Sequence, residues 1–196
     1  VVGYENGARE TFRAAKEQGA TTILDAASFH HAWQDAFYEP VESDAVHRRI
    51  NARKDDEVAL ADHILTVSEL ARQSYIDASV QPEQVTSVPM GTDLSAFAPP
   101  DGTQVISSTH FTFLFAGHAG RRKGVDVLLA ASERLAREGS AHRLQFAGGA
   151  DDGLFDDTAA PVERLGYLST PDLAEAFRQA DVLVLPSRHD SFGRVV

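Results

Sequence analysis

The apolar run Val182-Leu183-Val184-Leu185, closed by Pro186, constrains this chain more than any other stretch. Four consecutive apolar residues stopped by proline predict a strand buried on both faces, as in a parallel sheet covered by helices. A polar loop follows, Ser187-Arg188-His189-Asp190-Ser191-Phe192-Gly193, and then Arg194-Val195-Val196. In open α/β sheets ligands sit outside the carboxyl ends of strands, so this loop is expected to lie where chemistry occurs.

Strand and helix patterns alternate along all 196 residues. Strands are expected at 21–24, 63–67, 84–88, 111–115, 144–147, 162–166 and 182–185, and Val1 to Glu5 opens like the end of another. Helices are expected over 8–18, from about 44 to 61, from 69 after a Ser68 cap, over 123–137, and from a Thr170 cap with Pro171 in its first turn. Residues 90 to 109 break the rhythm with Gly91, Pro99, Pro100 and Gly102, which marks the domain boundary. The expected division is 1–97 and 98–196. Both ends look cut, and the chain reads as part of something longer.

The formal charge of −11 argues against a broad nucleic-acid surface. Sixteen acidic and eight basic residues lie through Ala98, thirteen and ten beyond it. Against that background Arg121-Arg122-Lys123 is a concentrated basic spot, suited to one localised anion. There is no cysteine, so disulfides and thiolate metal sites are excluded. No apolar run reaches transmembrane length and no signal-peptide layout is present, so a cytoplasmic protein is expected.

The segment from Gly117 through His118, Arg122 and Lys123 to Gly124 lies between a predicted strand and a predicted helix. Glycines let backbone amides approach an anion, and Arg and Lys add charge-assisted hydrogen bonds to phosphate oxygens. The spacing fits neither a Walker loop nor the dinucleotide fingerprint, and the segment also reads as a solvated basic turn. Asp190 also reads as a cap or turn residue, and His30 and His31 also read as surface loop residues. The Asp151-Asp152 and Asp156-Asp157 pairs read as solvated loop charge. His47, His63, His110, His142 and His189 lack metal-ligand spacing, and no metal site is expected.

Taken in order, Phe115-Ala116-Gly117, Arg122-Lys123-Gly124, Phe146-Ala147-Gly148-Gly149, Leu165-Gly166-Tyr167, 180–187 and Asp190-Ser191-Phe192-Gly193 resemble the donor-binding domain of family-4 (group 1) retaining glycosyltransferases. Residues 62–69, 88–93 and Phe97 resemble that family's inter-domain region. The stretch from Asp25 to His30, with Gln34, resembles its acceptor-side histidine loop. The resemblance implies a GT-B fold, α/β, with two Rossmann-like domains of parallel sheets, both incomplete here. It implies that Gly117, His118, Arg122 and Lys123 bind the donor diphosphate, with Phe192 and the backbone of Gly193, Arg194 and Val195 beside it. Asp190 would stand near the transferred sugar and His30 on the acceptor side. Asp190 departs from the family's usual glutamate and His118 from its frequent arginine. The second acid of the family's pair would fall beyond Val196.

The expected activity is transfer of a sugar from a nucleotide-diphosphate sugar to an acceptor hydroxyl with retention of configuration. The resemblance implies no cofactor and no essential metal ion. The partners would be the nucleotide-sugar donor and a glycan, lipid-linked or small-molecule acceptor, with no nucleic acid. Peripheral contact of the full-length enzyme with the inner face of a membrane stays open. Two alternatives stand beside this reading: a non-catalytic nucleotide-sugar-binding module, and a sugar-nucleotide epimerase of the same fold.

Overall fold

Two compact units carry the strand-helix alternation, each built on its own four-stranded parallel sheet. The computed structural model describes residues 1–36, 44–98 and 110–193. One unit comprises residues 1–91 and also takes in 191–193; the other runs from Thr92 to Asp190. The division falls a few residues ahead of the expected 97/98. The physical reason is local: the turn Ser95–Phe97 packs on the second unit, with the Phe97 ring edge-on to Phe177 at 5.7 Å and Arg178 donating to the Ala96 carbonyl at 3.4 Å.

In the first unit the strands β1 (Val2–Tyr4), β2 (Ile23–Ala26), β3 (His63–Thr66) and β4 (Val85–Ser87) lie side by side in sequence order. The helices between them are α1 (Arg9–Glu17), α2 (His31–Asp35), α3 (Asp44–Leu60) and α4 (Glu69–Asp77). Phe12 from α1, Leu24, Ile64, Tyr75 and Val85 form one core. Gly3 permits this, because a Cβ there would lie 2.6 Å from Ala8 and 2.8 Å from Phe12. β2 starts at Ile23 rather than Thr21. The Thr22 amide donates to Asp62 at 2.8 Å and its hydroxyl to the Leu60 carbonyl at 2.6 Å, tying this residue to the α3–β3 connection. With Lys16 also on it, the Asp62 carboxyl is pulled down to about 2, through the Lys16 hydrogen bond first and the Thr22 bonds next. Ser68 caps α4 as expected, accepting from the Ala71 amide at 3.1 Å.

The head of α1 is capped from outside its own segment. Glu57 of α3 is fully buried and accepts from the amides of Asn6, Ala8 and Arg9 at 2.6, 2.9 and 3.2 Å. An internal carboxylate thus satisfies amides that a helix start leaves without intrahelical partners, and it complements the helix dipole.

The second unit orders its strands β7 (Val162–Gly166), β6 (His142–Ala147), β5 (Phe111–Ala116), β8 (Val182–Leu183). Central strand β5 is covered on both faces. Phe115 packs with Val125, Leu129, Leu144 and Phe146 on one side, while Leu114 packs with Ala147 and Ala176 on the other. The helices are α5 (Val125–Arg137) and α6 (Thr170–Gln179).

Three expectations change here. The run 182–185 does not form a doubly buried strand: β8 pairs only as Phe113 with Val182 and Leu114 with Leu183, and Val182 remains 40% exposed. Its place at the rim of the sheet is the reason, since among the described residues no strand pairs with its far side. Helix α5 starts at Val125, because Arg121–Lys123 form a separate 3-10 turn ended by Gly124 in the left-handed region. The cap of α6 is Ser169, which accepts from the Asp172 amide at 3.4 Å, and Thr170 is already helical.

Candidate active site

The order of the second sheet defines where a ligand fits. From β5 the chain winds outward to β6 and β7, then crosses back to place β8 on the opposite side of β5. Open parallel sheets bind ligands at such a reversal, outside the carboxyl ends of the two diverging strands. The segments leaving those ends are 117–124 after β5 and 184–190 after β8.

Glycine lets these segments approach closely. Gly124 has φ of +70°, and a Cβ there would land on the Pro186 carbonyl of the other segment. Gly148, with φ of +129°, leaves room for the Gly117 carbonyl in the same way. The backbone fits the sequence only where no side chain stands.

Lys123, on the 3-10 turn, donates to the Asp190 carboxylate in a short hydrogen bond between side chains 15% and 18% exposed. The two residues are far apart in sequence, and the crossover brings them together. Arg122 donates to the His189 carbonyl at 3.1 Å. The Arg188 amide donates back to the Arg122 carbonyl at 3.0 Å, and the Arg188 guanidinium reaches the Arg121 carbonyl at 2.7 Å and both oxygens of Asp126 at 2.5 and 2.8 Å. Arg188 holds the Asp126 carboxyl below its ordinary range, chiefly by hydrogen bonding, and its own guanidinium is raised by the same bond. Burial first, and the positive Arg122 next, push the His189 imidazole down, towards its neutral form. The Ser187 hydroxyl is buried with no hydrogen-bond partner among the described residues.

His118 lies on the exposed side of the first segment, its Nε2 2.9 Å from Asp151. The Asp151 amide in turn donates to the Ala119 carbonyl at 2.9 Å. Asp151 and its neighbour Asp152 are both exposed, as the reading of solvated loop charge expects, and Asp151 in addition pairs with His118.

The expected site residues therefore separate. Gly117, His118, Arg122, Lys123 and Asp190 share one end of the second sheet. Phe192 and Gly193 group with the first unit, and Arg194 and Val195 lie outside the described residues. His30 belongs to the first unit, in the loop after β2 that the sequence suggested, and α2 follows directly from His31. His30 caps that helix, its Nδ1 3.3 Å from the Ala32 amide, while its own amide donates to Ser74 at 2.9 Å. Burial first, and neighbouring His31 next, lower its imidazole to about 4, so the ring is neutral at neutral pH. One ring nitrogen each from His30 and His31 and one oxygen of Asp55 lie within 4.8 Å of one another, a set able to hold a metal ion. A 2.7 Å hydrogen bond between His31 and Asp55 accounts for part of that grouping. A shallow, open depression of about 620 Å³, bordered by His110, His142 and Glu163, lies at the opposite, amino end of the second sheet.

Residues 110–196 match the family described as "Glycosyl transferases group 1". That region, less than half of the chain, carries the sequence pattern of group 1 glycosyltransferases. Among curated relatives, the chain is 32% identical over 164 residues to a D-inositol 3-phosphate glycosyltransferase 1 of Catenulispora acidiphila, covering 70% of this chain and 38% of that protein. It is 30% identical over 161 residues to the D-inositol 3-phosphate glycosyltransferase of Kineococcus radiotolerans, covering 70% and 37%. The chain thus spans well under half the length of these glycosyltransferases. Its fold is the GT-B fold of solved glycosyltransferase structures. Anabaena Alr3699/HepE, solved in complex with UDP, superposes with a TM-score of 0.71 at 14% identity over all of this chain and 56% of its own. TarM of Staphylococcus aureus, as its G117R mutant in complex with UDP, gives 0.68 at 13% identity over 98% and 38%. Sequence reasoning passed over Arg188 and Asp126. Both lie within the group 1 region, but a bidentate pair between a loop and a helix has no fixed spacing to reveal it.

Proposed function

We propose that the protein containing this chain transfers a sugar from a nucleoside-diphosphate sugar to an acceptor hydroxyl, with retention of configuration and without an essential metal ion. The observation that carries this reading is the meeting of Lys123 and Asp190 at the reversal of the second sheet. In this reading the diphosphate competes with Asp190 for the Lys123 ammonium, and the displaced carboxylate faces the sugar. Arg122 adds positive charge at the same end, and His118 stands beside it as a hydrogen-bonding group. As the bond from sugar to diphosphate breaks, negative charge grows on the leaving oxygen, and fixed cations in a partly buried site stabilise it. As the acceptor oxygen bonds to the sugar carbon, its proton passes to the oxygen of the departing diphosphate, which leaves as the nucleoside diphosphate. His30, neutral and in the other unit, acts here as a hydrogen-bonding group on the acceptor side rather than as a cation.

The HepE complexes make UDP-glucose the first donor to test and UDP, the nucleotide a donor would leave behind, the first ligand. The names of the curated relatives support a phosphorylated polyol as the acceptor class. Titration calorimetry of the chain with UDP is expected to show binding that Lys123→Ala weakens by tens-fold, about 2 kcal/mol for a lost charge-assisted contact. Equal affinity in the two proteins would remove Lys123 from the site. With the full-length protein, the anomeric configuration of the product, read by NMR, decides retention, and activity undiminished by EDTA decides metal independence.

A further inference from the structure

Asp190 and Lys123 stand on different segments, and the sheet does little to hold them together. The last backbone bond of β8 to β5 runs from the Val184 amide to the Leu114 carbonyl at 2.8 Å. From there to Asp190 the chain leaves the ladder, and its position depends on other contacts. Arg188 supplies several of them. Its amide holds the Arg122 carbonyl, and its guanidinium bridges the Arg121 carbonyl and the first turn of α5 through both oxygens of Asp126.

We propose that Arg188 is a positioning residue: clamped on Asp126 and the 121–123 turn, it sets the separation of Asp190 from Lys123 at which a nucleoside diphosphate binds. This rests on the donor-site reading above. The planar guanidinium is suited to the task because it makes two parallel bonds to a carboxylate while a further N–H reaches a carbonyl, which a lysine ammonium does not reproduce. The Arg188 and Asp126 side chains are 37% and 46% exposed. Exposed pairs add little to global stability, so the clamp acts on local geometry.

Two measurements on the 196-residue chain test this, with Arg188→Ala, Arg188→Lys, Asp126→Asn and, as control, Arg134→Ala at the exposed pair with Glu138 near the end of α5. Hydrogen exchange without ligand is expected to speed up at 121–124 and 186–190 in the Arg188 and Asp126 variants, with unchanged circular dichroism and melting temperature. UDP affinity is expected to fall about tenfold in Arg188→Ala and Asp126→Asn, since small misplacements of binding groups are costly. Arg188→Lys should recover only part of it, and the Arg188→Ala/Asp126→Asn double variant should lose no more than either single. In Arg188→Ala, adding Lys123→Ala should cost less than it does in the wild type. Wild-type exchange at both segments in Arg188→Ala, or wild-type UDP affinity there, overturns the proposal. A wild-type chain that binds no UDP overturns the donor reading instead, and the exchange measurement still decides whether the clamp orders the loop.

Discussion

His30 shows how far a side chain's chemistry depends on its surroundings. The residue type was visible in the sequence, but the burial that lowers its imidazole to about 4 was not. An unfolded histidine titrates near 6.5, so the folded state resists a proton that the unfolded state takes up. Stability from this group is therefore complete above about pH 6.5 and declines as the pH falls towards 4. The loss is on the order of 2–3 kcal/mol for a shift of this size. Urea unfolding at pH 7 and pH 5 is expected to show a smaller acid loss for His30→Gln than for the wild type. Equal losses would assign the pH dependence elsewhere. Lys123 and Asp190 were legible as residue types after strands, whereas Arg188 was not, because its partner Asp126 is named only by the crossover that brings two distant segments together.

At the scale of elements, the strands and the longer helices followed from the sequence, and most errors lie where tertiary contacts override local pattern. An apolar run of four predicts burial on both faces, but β8 pairs over two residues and Val182 stays exposed, with no partner strand on its far side among the described residues. Gly124 was expected in a loop that cradles an anion; its more demanding role is steric, between the 3-10 turn and Pro186. Gly124→Ala is expected to destabilise the second unit by about 1–3 kcal/mol, from the left-handed backbone and the displaced carbonyl together. A urea midpoint equal to wild type would show that the two segments separate freely. Helix α2 was missed because its five residues are too few for a periodic signal, and its start depends on the His30 ring acting as a cap.

For the whole molecule, the two compact units divide between Gly91 and Thr92. Each unit keeps its own core, Leu24 and Ile64 in one, Phe115 and Leu144 in the other. If the donor site lies in the second, a ligand should protect that unit against heat. Calorimetry is expected to show a transition that UDP raises, by about 2.7 kcal/mol at a hundredfold excess over Kd, beside one that it leaves in place. A transition for the first unit that rises equally would contradict a donor site confined to the second. Charge bears on selectivity at the same scale. The chain carries −11 overall, so an anion is drawn only to a local cluster such as that around Lys123. Glu57 sharpens this. By docking its carboxylate on the three amides at the head of α1, it plugs a ready-made phosphate cradle with a built-in surrogate. An anion in solution meets those amides already occupied, so this helix start adds no anion site of its own to the first unit.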